Sequence, residues 1–308
     1  MSSIRRLKKL LLGLASAYVL LSVAGGIGLA EFTLHLPRRP LRHTELARRT
    51  VANEFHADLQ TASITAADGA ILRAWFVEPE HANGNAVVLF HGVTDNREGV
   101  GGYARLFLAN GYAVLLPDSR AHGESGGRIA TYGVLERDDV HRWVSWLYAE
   151  HAPHCVYGFG ESMGAAILVD SLIAEPRFCG AIAESPFATF RDGAYSKFSE
   201  FSHLGLWFGK TIGRPMIETG LLYARLRYHV DLTQANPSYS VAHSSVPLLL
   251  IHGGADNNIF PVNSEKLHRI DGAHSELWEV PGAIHTGAWR RDPHQFESRV
   301  LEWCASHT

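Results

Sequence analysis

Short β-rich apolar runs recur along most of this chain, and helical patterns separate them. The runs are "AVVLFHG" (86–92), "YAVLLPD" (112–118), "HCVYGFG" (154–160), "GAIAES" (180–185), "PLLLIHG" (247–253) and "SELWEVPG" (275–282). Several are apolar without interruption, as a parallel strand must be when helices cover both of its faces. Segments 133–151 and 294–307 carry helical periodicity between or after them. This alternation restricts the fold to an α/β class, a doubly wound and mostly parallel sheet. Upstream, "TASITAADGAILRAWFVEP" alternates apolar and polar residues around Asp68-Gly69, which predicts a strand, a tight turn and a second strand.

One stretch breaks the rhythm. Residues 186–245 have little strand character but many aromatics, among them Phe187, Phe190, Phe198, Phe201, Trp207, Phe208, Tyr223 and Tyr228. A structureless loop of that length is improbable, so a helical cap insertion is expected. Inserted after a strand, it would lie over the carboxyl ends of the sheet, where open α/β sheets bind ligands. Its aromatics either form its own core or line an apolar pocket; Phe187, Phe190, Trp207 and Phe208 are the pocket candidates.

The N-terminus follows a different logic. Residues 1–9 hold Arg5, Arg6, Lys8 and Lys9, and residues 10–30 carry no charge at all. At 1.5 Å per residue the apolar stretch is just long enough to cross a bilayer. A retained single-pass anchor is expected, with a cleaved signal peptide as the alternative, for which Gly28-Leu29-Ala30 offers a small-residue site. The early basic residues favour an inside N-terminus and an outside catalytic domain, although Arg38, Arg39, Arg42, Arg48 and Arg49 weaken that vote. Residues 31–58 read as a connector without clear period, leaving 59–308 as the α/β domain.

Composition removes other classes. The chain has 308 residues, is 46% hydrophobic and carries a formal net charge of -3, so no nucleic-acid partner is expected. Cys155, Cys179 and Cys304 are scattered, and a disulfide framework is not expected. The histidines are dispersed without metal-ligand spacing, so neither a metal nor another cofactor is expected.

The chemistry gathers in three loops. Gly160-Glu161-Ser162-Met163-Gly164 sits between the predicted strand 154–160 and the helical run that follows Ser162. Strand, G-x-S-x-G, helix is the arrangement that lifts a serine hydroxyl onto a sharp turn, with the next amide, that of Met163, aimed at a developing oxyanion. A serine needs a base, and the base an orienting acid. Asp256 follows the strand 247–253 and His285 follows 275–282, giving the order Ser, Asp, His at the carboxyl ends of strands. Ser162, Asp256 and His285 are therefore the candidate triad, with Glu184 the runner-up acid.

These motifs resemble the α/β-hydrolase superfamily, in the branch similar to serine aminopeptidases and dienelactone-hydrolase-like esterases. The likeness covers about residues 60–305 and rests on "LFHGVTDN", "LLPDSRAHGESGG", "GFGESMG", "LLIHGGADNNIFP" and "PGAIHTG". It implies that Val93, after the His91-Gly92 pair, donates the second oxyanion amide. Asp118, Arg120, His122 and Ser125 match a turn that braces the floor of such sites. One departure is visible: Phe260 stands four residues after the acid, where a proline is usual, and Pro261 follows.

The expected function is a membrane-anchored serine hydrolase cleaving a carboxylic ester or related acyl bond of a small-molecule substrate. The alternatives are a serine peptidase acting on short peptides, and a non-catalytic member of the fold binding a lipid or a protein partner.

Overall fold

The computed structural model describes residues 2–308. Eight strands form one sheet: β1 (Gln60–Thr65), β2 (Ile71–Val77), β3 (Ala86–Phe90), β4 (Ala113–Pro117), β5 (Val156–Glu161), β6 (Phe178–Glu184), β7 (Leu248–Gly253) and β8 (Ser275–Val280). Their order is β1-β2-β4-β3-β5-β6-β7-β8. β2 runs antiparallel to both β1 and β4, and every other pairing is parallel.

The chain opens with α1 (Ser2–Leu34) and α2 (Thr44–Phe55); α3 (Gly101–Ala109), α4 (Glu136–Glu150) and α5 (Met163–Ser171) then alternate with the strands. Between β6 and β7 lie α6 (Phe190–Ser202), α7 (Gly205–Lys210), α8 (Arg214–Tyr228) and α9 (Pro237–His243). α10 (Val262–Ile270), α11 (Ala288–Arg291) and α12 (Pro293–Ser306) complete the domain.

The sheet separates two cores, and β3 shows why its sequence is apolar throughout. Ala86, Val88 and Phe90 join a cluster with residues of α4 and α5, while Val87 and Leu89 join one with α3 and α12. Every residue of β3, β4 and β7 is buried, so a polar side chain along them needs a hydrogen-bond partner, as His252 at the end of β7 has in Ser264 and Ile259.

Two features depart from the sequence reading. The stretch 31–58 contains α2, which has one buried residue, Val51, and so too thin an apolar stripe to register as a period. Cys155 and Cys179 form a disulfide, contrary to expectation. They flank the Val156–Phe178 pairing of neighbouring strands, which brings their Cα atoms to 5.8 Å. Twenty-four residues of separation hid that proximity. Cys304 is free and buried, as a small core residue.

α1 is long and apolar enough to cross a membrane. It also runs beyond residue 30, and its last turns join the body. Gly26 meets α8 so closely that a methyl there would stand 2.4 Å from the Met216 carbonyl oxygen. Glu31 lies in these turns and ties them to α8, for Tyr223 and Tyr228 donate hydrogen bonds to its Oε1 at 2.5 and 2.6 Å. The Leu34 carbonyl accepts from the Ala130 amide, and Leu34 itself is wholly buried.

Candidate active site

Ser162 occupies a turn that only its neighbours make possible. β5 ends at Glu161, Ser162 adopts φ 53° and ψ -115°, and α5 begins at Met163. A non-glycine residue held there costs about 1–3 kcal/mol, which the surrounding contacts must offset. Two contacts do so directly: the Ser162 amide donates to the Glu184 carbonyl at 2.8 Å, and its carbonyl accepts from Ala166 at 3.1 Å. The flanking glycines are steric necessities. A Cβ on Gly160 would lie 2.6 Å from the Gly164 carbonyl carbon, and one on Gly164 would lie 2.3 Å from the Phe90 carbonyl oxygen.

The three predicted loops converge. The His285 Nε2 lies 2.8 Å from Ser162 Oγ, and its Nδ1 lies 2.7 Å from Asp256 Oδ2. The Ala255 amide donates to the Ala283 carbonyl at 2.9 Å, tying the Asp256 loop to the His285 loop. The other Asp256 oxygen accepts from the amides of Asn258 and Ile259, both at 2.9 Å. Burial works against the Asp256 charge, but hydrogen bonds from His252 and His285 win and hold the carboxyl well below the usual carboxylate range. His252 is a buried strut: it shares its Nε2 proton between the Ile259 carbonyl (2.8 Å) and Asp256 (3.3 Å), and Ser264 donates to its Nδ1. Pro261 stands at the N-cap position of α10.

Val93 and Met163 both border the cavity that Ser162 and His285 line. Among the described residues, neither of their amides donates to a protein acceptor. The loop carrying Val93 is braced by two neutral histidines. Burial drives His91 down to about 3, with His122 and Arg97 adding to the shift. Its Nε2 therefore accepts from the Ser119 amide (3.0 Å) while Nδ1–H donates to the Gly92 carbonyl (2.7 Å). His122 is lowered by burial too; it accepts from the Thr94 amide at 3.3 Å and donates to the Arg120 carbonyl at 3.0 Å. Asp118 accepts from the Arg97 and Glu124 amides, Ser125 donates to the Asp118 carbonyl, and Arg120 grips Asp139 through two 2.8 Å bonds. These side chains bond to one another and to backbone, which is a bracing role.

Behind the serine lies a pair of acids that the sequence did not link. Tyr103 donates to Glu184 at 3.0 Å and is 3.3 Å from Glu161. Glu184 also accepts from the Ala288 amide at 2.9 Å, so it anchors the loop after His285 and does not bond the imidazole. Burial, then the neighbouring Glu184, pushes Glu161 up to about 7.

The cavity beside Ser162 has a volume of about 590 Å³ and predominantly apolar walls. Of the four pocket candidates, Phe187 and Phe190 line it and Trp207 and Phe208 do not. Trp207 is 70% exposed, and Phe208 stacks on Phe198 at 5.9 Å. Phe198 and Phe201 of α6 take the wall instead. Leu29, Ala30 and Phe32 of α1 also line it, a contribution with no local signal in the sequence. Among the described residues, no group of three His, Cys, Asp or Glu side chains is arranged to hold a metal ion.

The sheet order, the strained serine between strand and helix, and the loops at the strand ends are those of the α/β-hydrolase fold, which the chain shares. The model of the serine aminopeptidase family S33 matches residues 81–220. The chain is 29% identical to uncharacterized protein YqkD of Bacillus subtilis, over 96% of this chain and 97% of that protein. It is 25% identical to uncharacterized protein YfhR of Escherichia coli, over 75% and 74% of the two chains. The esterase Pf2001 of Pyrococcus furiosus shares the fold at TM-score 0.70 and 23% identity, over 89% of this chain and 98% of that one.

Proposed function

We propose that this protein is a serine hydrolase that cleaves carboxylic esters through an acyl-enzyme. The continuous hydrogen-bonded line from Asp256 through His285 to Ser162 carries the reading. Ser162 Oγ attacks the ester carbonyl as its proton passes to His285 Nε2, and the amides of Val93 and Met163 receive the oxyanion. Each such donor is worth about 3 kcal/mol in comparable sites. Asp256, held ionised, fixes the imidazole tautomer and stabilises the imidazolium. The tetrahedral intermediate collapses, and His285 returns the proton to the departing alcohol. Water then attacks the acyl-serine with the same base, releasing the acid and regenerating Ser162.

On this reading residues 59–308 are the catalytic domain, 186–245 its cap and 10–30 a retained anchor. Cleavage after Ala30 would remove the Gly26 contact with α8 and part of the cavity wall, which favours retention over a signal peptide. The Cys155–Cys179 bond favours an oxidising, outside compartment for the domain. Protease treatment of intact and opened vesicles checks that orientation: digestion only after the cytoplasmic side is opened would reverse it.

The test of the chemistry is a fluorophosphonate probe with wild type and Ser162→Ala. Wild type is labelled and the variant is not; labelling that survives the substitution would refute the nucleophile. The family name keeps a peptidase in view, and parallel turnover of simple esters and aminoacyl amides separates the two.

A further inference from the structure

We propose that the substrate is a bilayer lipid ester whose acyl chain enters from the membrane past Phe201 and lies against the last turns of α1. The inference rests on the serine-hydrolase and anchor readings above and adds the substrate class and its route.

The first observation is the double role of α1. Leu29, Ala30 and Thr33 line the cavity that reaches Ser162, while the leucines and valines of residues 10–21 of the same helix are all exposed. One helix therefore joins the apolar cavity to the segment built to sit in a membrane.

The second is a length mismatch. Residues 10–21 reach only about 18 Å at 1.5 Å per residue, well short of a hydrocarbon core of about 30 Å. Residues beyond them must complete the crossing, yet from Ser22 onward one face of α1 packs on the body: Ser22 and Ala30 are buried and Gly26 touches Met216, while Val23 and Phe32 on the other face stay exposed. The part of the cap beside α1 is thus drawn into the outer leaflet with it.

The third is the surface that the cap presents at that level. Tyr18 donates to the Ile212 carbonyl at 2.7 Å, which puts the α7–α8 junction where α1 leaves the body. Phe201 (75% exposed), Leu204 (62%), Trp207 (70%) and Ile212 (46%) stand out on this part of the cap. In water such a set is costly; in a leaflet these side chains are solvated by acyl chains, with Trp207 suited to the interface. Phe201 belongs to this set and also lines the cavity, so the mouth opens on the side that faces the lipid. Cleavage follows the balance already given: water contributes hydroxide to the acyl group and a proton to the alcohol of the lipid.

The test uses the full chain in phosphatidylcholine vesicles and alkyl fluorophosphonates carrying a diazirine at carbon 4, 8 or 12. Ser162 displaces fluoride and fixes the chain in place; irradiation then expels nitrogen and inserts the carbene into whatever lies alongside. We expect Ser162 adducts whose second attachment maps to residues 29–36. Ser162 adducts with attachments only outside α1 overturn the proposal while leaving the serine hydrolase intact. Absence of a Ser162 adduct overturns the hydrolase reading itself, and the proposal with it. Independently, Ala30→Trp should lower the ratio of dodecanoyl to butyryl ester kcat/KM by at least tenfold; an unchanged ratio contradicts the route.

Discussion

His285 Nε2 lies 2.8 Å from Ser162 Oγ, a contact that closes across 123 residues of chain. Its other nitrogen reaches Asp256, whose carboxyl stays ionised because hydrogen bonds outweigh burial. Asp256→Asn should leave the fold intact and reduce kcat by about 10⁴, because the amide supports the wrong imidazole tautomer. Steady-state turnover of a short ester checks this. A loss under tenfold would move the acid role elsewhere, with Glu184 the nearest alternative.

Gly164 stands where no side chain fits. Its Cβ would approach the Phe90 and His91 carbonyl oxygens at 2.3 and 2.6 Å. Gly164→Ala should destabilise the protein by about 3 kcal/mol and displace the loop of Val93. Denaturant unfolding measures the first effect, and ester turnover the second. A variant with wild-type stability and rate would show that the crossing is looser than this packing implies.

Glu161 gives the protein a pH-dependent stability. Its folded value, about 7, lies above the ordinary 4.5, so the folded state holds a proton that the unfolded chain releases first. The resulting stabilisation is complete below about pH 4.5 and is lost as pH rises through 7. Glu161→Gln keeps the neutral form at every pH. It should be more stable than wild type at pH 8, by up to about 3 kcal/mol, and lose that advantage by pH 4. Thermal unfolding at both pH values decides; an equal difference at the two would exclude titration of this group.

The Cys155–Cys179 bond should appear as one alkylatable thiol, Cys304, in unfolded but unreduced protein, and three after reduction. Cys155→Ser should cost about 3 kcal/mol, the loop-closure value for a separation of 24 residues. Mass spectrometry of the alkylated protein reads the first, and denaturant unfolding the second. Three thiols without reductant would remove the argument for an oxidising compartment.

The sequence by itself determined what repeats or what lies in one short loop. Buried strands must be apolar on both faces, so "AVVLF" and "PLLLIHG" declared a covered parallel sheet. The strained serine requires Gly160 and Gly164 beside it, so the pentapeptide together with its strand and helix marked Ser162 as the candidate nucleophile. Asp256 and His285 were legible because a parallel sheet delivers successive strand ends to one edge. Tertiary structure alone decided everything that depends on distance across the chain. The Cys155–Cys179 pairing follows from strand register, and the Tyr103–Glu184–Glu161 cluster from three separate elements meeting. Trp207 and Phe208 carry the right chemistry for a pocket, but in the folded cap Trp207 is exposed and Phe208 stacks on Phe198, behind the residues that line the cavity. The largest difference lies in α1: its apolar run announced a helix suited to lipid, but no local pattern reveals that its last turns wall the cavity at Ser162. That role exists only because Gly26 and Gly220 let α1 and α8 approach closely enough to share one surface.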